Sequence, residues 1–125
     1  MYQIRSFTGK VERSYKKAIL KLVEQDPESI TALSFTKDSP LYSYLAKYEV
    51  LKVEEYLKRV NNKKTSEMRL IVAEASNKIV GYLLYHENLE ARNEVSISSV
   101  IISKKHRKKG LLTKMINHLK ADGKS

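Results

Sequence analysis

Four stretches of the chain predict β-strands, the first and fourth by alternation of apolar and polar residues and the other two as apolar runs. The first is short, from Tyr2 to Phe7. Two longer stretches, Arg69 to Ala75 and Ile79 to His86, flank Ser76-Asn77-Lys78, which is typical of a hairpin turn. The fourth, from Val95 to Ile102, ends apolar on both faces, so we expect it to lie centrally in its sheet.

Three other segments carry apolar residues at helical spacing, which predicts amphipathic helices. Asp26-Pro27 is expected to end the first helix and Ser39-Pro40 to begin the second. A phase slip near Val50 predicts either two helices or one bent helix in the middle segment. The three stripes are Val11, Tyr15, Ala18, Ile19, Leu22 and Val23; Leu41, Tyr44, Leu45, Tyr48, Leu51, Val53, Tyr56, Leu57 and Val60; and Leu111, Leu112, Met115, Ile116 and Leu119.

Two residue types within these elements invite a specific interpretation. Four of the eight tyrosines lie from Tyr42 to Tyr56, and an aromatic stripe at helical spacing is typical of a core rather than a ligand site. Gly81 lies inside a predicted strand, where glycine indicates a bulge or the close approach of another chain or ligand.

The segment from Lys104 to Gly110 joins the fourth strand to the last helix and is almost entirely basic. The first amides of a helix lack partners within it, and the helix dipole adds partial positive charge there, so such an end binds phosphate well. Gly110 would let a ligand approach the backbone closely. The alternative is a solvated linker whose charge only keeps the protein soluble.

Composition narrows the class of protein. With 125 residues and 42% hydrophobic content, the chain suits one domain, residues 1–125, with one core. The absence of cysteine excludes disulfides and cysteine-ligated zinc, and the three histidines show no metal-ligand spacing, so we expect no metal. No apolar run approaches the roughly 20 residues of a spanning helix, and no secretory signal begins the chain. We therefore expect a cytoplasmic protein with no membrane partner.

The net charge of +10 indicates an anionic ligand or partner, and the basic residues concentrate after Ser103. Arg107-Lys108-Lys109-Gly110-Leu111-Leu112, after a strand ending in Val100-Ile101-Ile102, resembles the acetyl-CoA signature of the GNAT superfamily of N-acetyltransferases. That signature is Arg or Gln, two residues, Gly, one residue, then Gly or Ala. Arg107 and Gly110 match it, whereas Leu112 replaces the usual small residue.

The order of predicted elements also resembles this superfamily. The resemblance implies an α+β fold, α/β/α sandwich-like, in which helices flank a mixed, mainly antiparallel sheet. Members of the family normally continue with further strands and a helix, whereas this sequence stops at Ser125. We expect a truncated chain that lacks the usual C-terminal strands, or a homodimer in which a second copy supplies them by strand or element exchange. A third possibility is an inactive chain whose cleft is covered by dimerisation.

The resemblance further implies transfer of an acetyl group from acetyl-CoA to a primary amine. The amine could belong to a protein N-terminus, a lysine, a polyamine or an antibiotic. Glu94 is the candidate general base, acting through a water, and the alternative is a surface carboxylate at the strand start with no catalytic role. N–H groups near Val100 would stabilise the oxyanion. The implied coenzyme-binding residues are Val100, Ile101 and Ile102 for the pantetheine arm, and Arg107, Lys108, Lys109, Gly110, Leu111, Leu112 and Thr113 for the pyrophosphate.

A rival hypothesis is a basic module that binds nucleic acid or an acidic partner without any chemistry. The sequence contains no DNA- or RNA-binding motif, and few aromatic residues interleave the lysines. We therefore expect nucleic acid not to be the partner.

Overall fold

Four strands and three helices follow one another in the part of the chain that the structure describes. The structure is a computed structural model, and it describes residues 2–7, 11–25, 40–60, 68–87, 95–107 and 109–122. The order of elements agrees with the sequence prediction. The elements are β1 (Tyr2–Ser6), α1 (Arg13–Gln25), α2 (Pro40–Arg59), β2 (Met68–Ala75), β3 (Lys78–Glu87), β4 (Val95–Ile102), a 3₁₀ turn (Lys104–His106) and α3 (Leu111–Asp122).

The strands form one antiparallel sheet in the order β1-β2-β3-β4. The predicted hairpin between β2 and β3 is confirmed. Its two turn residues, Ser76 and Asn77, have φ angles of 52° and 64°. Positive φ at both central residues is the conformation that a two-residue hairpin turn requires.

The close approach predicted at Gly81 is also confirmed, and the approaching chain is β4. A Cβ atom at Gly81 would lie 3.2 Å from the carbonyl oxygen of Ile101 and 3.3 Å from Cγ1 of Ile102. The pairing of β2 with β3 shifts beside this glycine, because Ala73 pairs with Gly81 and Glu74 with Ile79. Val80 is thus the extra residue of a bulge next to the glycine.

Both faces of the sheet are covered, which confirms the α+β sandwich. On one face α1 and α2 pack against the sheet, and on the other face α3 does so. Successive strand residues point to opposite faces, so β2, β3 and β4 each contribute to both layers, whereas β1 packs only in the α3 layer. The buried residues are Val11, Ile19, Leu22, Val23, Val53, Leu57, Val60, Met68, Leu70, Val72, Tyr82, Leu84 and Ile101 in the α1/α2 layer, and Ile71, Ala73, Val80, Leu83, Tyr85, Leu111, Met115 and Leu119 in the α3 layer.

The predicted central position of β4 is wrong for the described sheet, in which β4 is an edge strand paired with β3 alone. Its apolar end reflects burial of its two faces and not pairing along both of its edges. Ile101 packs in the α1/α2 layer, whereas Val100 and Ile102 pack in the α3 layer. Val95, at the start of the strand, is exposed.

The middle segment forms a single helix, α2, and the interpretation of its tyrosines as core is wrong for two of them. Tyr44 is 74% exposed and Tyr48 is 55% exposed. The buried side of α2 instead carries Glu49, Val53 and Leu57, each four residues after the last. The phase slip thus separates an exposed aromatic stripe from a buried stripe on one continuous helix.

None of the described helices has the length and apolarity to cross a membrane.

Candidate functional site

The outer edge of β4 directs backbone groups away from the described sheet near the end of the strand. The amide of Ser103 donates a hydrogen bond to the carbonyl of Val80 over 2.8 Å. Because hydrogen-bonded and non-hydrogen-bonded pairs alternate along an antiparallel ladder, Val100 and Ile102 direct their N–H and C=O groups away from β3. No other described strand lies along that edge.

Arg107 fixes the loop to the end of this strand. Its Nε donates a hydrogen bond to the carbonyl oxygen of Ile102 over 2.8 Å. The 3₁₀ turn before it is closed by the amide of His106, which donates to the carbonyl of Ser103, also over 2.8 Å. Arg107 therefore has a structural role in addition to the phosphate-binding role that the sequence predicts.

Gly110 directly precedes α3, and its backbone has a conformation that other residues rarely adopt. Its φ is +72°, and an added Cβ would have no atom within 4 Å. The amide of Lys114 donates to the carbonyl of Gly110 over 3.1 Å, which makes Gly110 the N-cap. The preceding amides, those of Leu111, Leu112 and Thr113, therefore have no acceptor inside the helix.

Positive charge surrounds this helix end. Lys104, Lys105 and Lys109 are exposed, and Arg107 is half-buried. The sequence contains no Asp or Glu from Ser103 to Lys120, so no carboxylate of this segment neutralises them. The outer edge of β4, the helix amides without an acceptor inside α3 and the exposed lysines therefore follow one another along the chain. Helix amides and lysines of this kind bind phosphate well.

Not every predicted site residue can be placed. Glu94 and Lys108 lie outside the described residues. Leu111 is 2% exposed and packs in the α3 layer, so only its backbone can contact a ligand. Leu112, predicted in the apolar stripe of α3, is instead 40% exposed at the helix start.

Tyr2, in β1, contacts both sides of the loop, and the sequence prediction did not include it. Its hydroxyl is 2.9 Å from Nδ1 of His106, and the two rings meet edge to face with centroids 5.6 Å apart. The Nζ atom of Lys114 lies 5.9 Å from the centroid of the same tyrosine ring. A second link joins β1 to α3, between Ser6 Oγ and His118 Nε2 at 3.0 Å.

A cleft of about 830 Å³ adjoins the loop on the α1 side of the sheet. Its walls come from α1, the β2–β3 turn and the residues just after β4. Glu74 lies in one wall, where its Oε1 is 3.3 Å from Arg5 Nη1 and accepts a hydrogen bond from the Tyr15 hydroxyl over 3.2 Å. Lys21, Lys78 and Lys105 also line the cleft, so it contains charges of both signs.

Polar side chains are buried between β4 and the α1/α2 layer. The hydroxyls of Tyr82 and Ser99 are 2.8 Å apart, and burial raises the pKa of Tyr82 well above its usual range. The Ser99 bond opposes this rise and the charge of Glu49 adds to it. Glu49 is 4% exposed. It could have been found in the sequence, because it lies four residues before Val53 in an otherwise apolar stripe.

Several solved structures with the same fold are acetyltransferases. The PaiA N-acetyltransferase from Thermoplasma acidophilum, solved in complex with coenzyme A, matches with a TM-score of 0.71 and 10% identity over 99% of this chain and 72% of its own. An aminoglycoside acetyltransferase from an uncultured soil metagenomic sample matches with a TM-score of 0.60 and 15% identity over 98% and 70%. The ribosomal-protein-alanine N-acetyltransferase from Brucella melitensis biovar Abortus 2308 matches with a TM-score of 0.52 and 15% identity, over 99% of this chain and 72% of its own.

At 10 to 15% identity these structural similarities show the fold alone, so the family has to be established from the sequence. No curated protein sequence matches the chain significantly. The model of the acetyltransferase (GNAT) family matches residues 27–125, which is most of the chain and includes β4, the basic loop and α3. The resemblance predicted from the loop is thereby confirmed, and the chain belongs to the GNAT acetyltransferase family.

Proposed function

We propose that this protein is an N-acetyltransferase that transfers an acetyl group from acetyl-CoA to a primary amine. The observation that carries the proposal is the open edge of β4, which leads directly into a basic helix N-terminus. Family membership supports acetyl transfer as the reaction. The coenzyme A complex of the PaiA protein supports the choice of donor. No comparison supports the rival nucleic-acid-binding module.

The strand edge and the loop would hold different parts of the coenzyme. The outward N–H and C=O groups of Val100 pair with the amides of the pantetheine arm, and Ile101 and Ile102 continue that wall. The amides of Leu111, Leu112 and Thr113, with the Thr113 hydroxyl, receive the pyrophosphate at the start of α3. Exposed lysines such as Lys109 add charge-assisted contacts to the pyrophosphate. We assign the same role to Lys108 from the sequence alone.

The reaction needs a neutral amine beside the thioester. A base removes a proton from the ammonium, and the nitrogen then bonds to the carbonyl carbon. The carbon–sulfur bond breaks to release the coenzyme as a thiolate, and the second proton lost by the acylated nitrogen passes to that thiolate, which leaves a neutral amide and the free thiol. Outward N–H groups near Val100 stabilise the negative oxygen formed on the way. No metal is required for any of these steps.

Acetyl-CoA titration by calorimetry, followed by thiol release with a panel of primary amines, tests the proposal. We expect binding to weaken several-fold in Lys109→Ala, because a charge-assisted contact is lost. Lys120→Ala is the matched control, since it removes the same charge from the exposed last turn of α3. Failure of the unaltered chain to bind acetyl-CoA would refute the proposal.

Glu94 remains the proposed general base. We expect Glu94→Gln to slow acetyl transfer by about 10²- to 10⁴-fold, the usual contribution of a general base, with acetyl-CoA affinity unchanged. Glu24→Gln, an exposed carboxylate change on α1, serves as control. A rate unaffected by Glu94→Gln would remove Glu94 from the mechanism.

The proposal extends to the domain organisation, the location and the assembly of the protein. We propose one domain over residues 1–125 that acts in the cytoplasm. We also propose a homodimer in which an element of a second copy covers the exposed part of β4. No strand among the described residues covers this edge, which supports the assembly because proteins seldom leave such an edge uncovered.

A further inference from the structure

Tyr2 contacts both the 3₁₀ turn, which precedes Gly110, and α3, which follows it. Its hydroxyl bonds to His106, in the 3₁₀ turn before the glycine, over 2.9 Å. Its ring lies 5.9 Å from the ammonium of Lys114, in the first turn after the glycine. Tyr2 and His106 are half-buried, whereas Lys114 is exposed.

These contacts set the spacing of the loop. His106 is adjacent in sequence to Lys105 and Arg107, so a rotation of the 3₁₀ turn would redirect both cations. Lys114 follows the three helix amides that have no internal acceptor. One aromatic ring from β1 therefore fixes the basic arm of the loop relative to the start of α3.

We propose that Tyr2 is a positioning residue for the coenzyme's diphosphate, acting through His106 and Lys114. The inference rests on the proposed function, since it concerns the same loop. Tyr2 itself does not touch the ligand. It keeps the cations and the helix amides at the separation that a diphosphate spans, which lowers the ordering cost of binding.

Calorimetric titration with CoA tests this role. We expect Tyr2→Phe, which keeps the ring and loses the hydroxyl, to bind CoA about three- to tenfold more weakly, as expected for one hydrogen bond. His106→Ala should weaken binding to a similar extent. The double variant should be no weaker than the worse single variant, because both changes remove the same bond. His106→Asn, whose amide can replace Nδ1, should restore most of the affinity.

Ser6→Ala is the matched control. It removes a hydroxyl–imidazole bond between the same strand and α3, to His118, away from the loop. CoA affinity should stay unchanged in this variant, and thermal melts should show all variants folded. Equal CoA affinity of Tyr2→Phe and the unaltered chain would overturn the inference, as would an equal loss in Ser6→Ala. An unaltered chain that binds no CoA would overturn the proposed function as well.

Discussion

Two glycines are required for different physical reasons. Gly81 is crowded, since the carbonyl oxygen of Ile101 in β4 lies 3.2 Å from where its Cβ would be and would have to move slightly for any side chain. Gly110 has room, but its φ of +72° places it in the left-handed region. The first requirement concerns packing of the sheet, and the second concerns the geometry of the candidate site.

Substitutions at Gly110 should therefore follow backbone preference and not side-chain size. We expect Gly110→Ala to lower the free energy of unfolding by about 1–2 kcal/mol, the cost of left-handed backbone for an ordinary residue. Gly110→Asn should cost less despite its larger side chain, because asparagine tolerates this conformation. Urea denaturation checks the order, and a variant with Asn less stable than one with Ala would contradict it.

The buried Tyr82–Ser99 pair predicts a pH dependence of stability. Burial raises the pKa of Tyr82 in the folded protein, whereas an unfolded tyrosine ionises near pH 10. Above about pH 10 the unfolded state has therefore lost a proton that the folded state keeps. The contribution of Tyr82 to stability is fully present below that pH and declines above it by up to about 1.4 kcal/mol per pH unit.

The measurement is chemical denaturation between about pH 8 and pH 11. Tyr82→Phe should be less stable at pH 8 by about 1–3 kcal/mol, because Ser99 loses its buried partner. Its stability should then fall less steeply with pH than that of the unaltered chain. Tyr44→Phe, at a 74% exposed position, is the control and should leave the slope unchanged. Parallel slopes for all three proteins would refute the prediction.

The sequence predicted those residues whose structural role depends on residue type or on nearby positions in the chain. The turn at Ser76 and Asn77 and the helix start at Gly110 follow from residue type and from neighbours in the chain. Gly81 was identified by its residue type inside a strand, although the crowding there comes from Ile101 and Ile102 of β4. The bond between Tyr2 and His106 joins positions 104 residues apart, and no periodicity encodes such a contact. Most of the loop was thus predictable, whereas its support by β1 required the fold.

At the scale of elements, hydrophobic periodicity located every described strand and helix but not the place of β4. An apolar strand end indicates that both faces are covered, and here α1 with α2 and α3 provide that cover. Periodicity contains no information about which backbone edges are paired. The open edge, on which the proposed pantetheine contact depends, therefore came from the register of β3 and β4.

Proline substitutions can separate the two edges of β4. Val100→Pro removes an outward N–H, so the ladder with β3 should survive, as prolines at sheet edges do. We expect a folded protein with CoA affinity reduced about three- to tenfold. Ile101→Pro removes an N–H that faces β3 and should instead destabilise the sheet. Circular dichroism and calorimetry check both variants, and unfolding of Val100→Pro to the same extent would show that the register is different.

At the scale of the whole molecule, the distribution of exposed apolar groups bears on assembly. Val95 and Ile97 are 43% and 49% exposed in the first half of β4, beside the bare strand edge. The second half contains Val100 to Ile102, the proposed coenzyme wall. A strand from a second copy could therefore cover the first half and leave the second half for the coenzyme.

The proposed dimer should depend on Ile97 and on salt. A lysine on an edge strand opposes edge-to-edge pairing, so Ile97→Lys should be monomeric at concentrations where the unaltered chain dimerises. Leu51→Lys is the matched control, since it makes the same kind of change at a 65% exposed position on α2. With a net charge of +10, two copies repel each other, and added salt should therefore strengthen the dimer by screening that repulsion. Sedimentation velocity over a concentration series at low and high salt checks both effects, and an unaltered chain that is monomeric throughout would rule out exchange between copies.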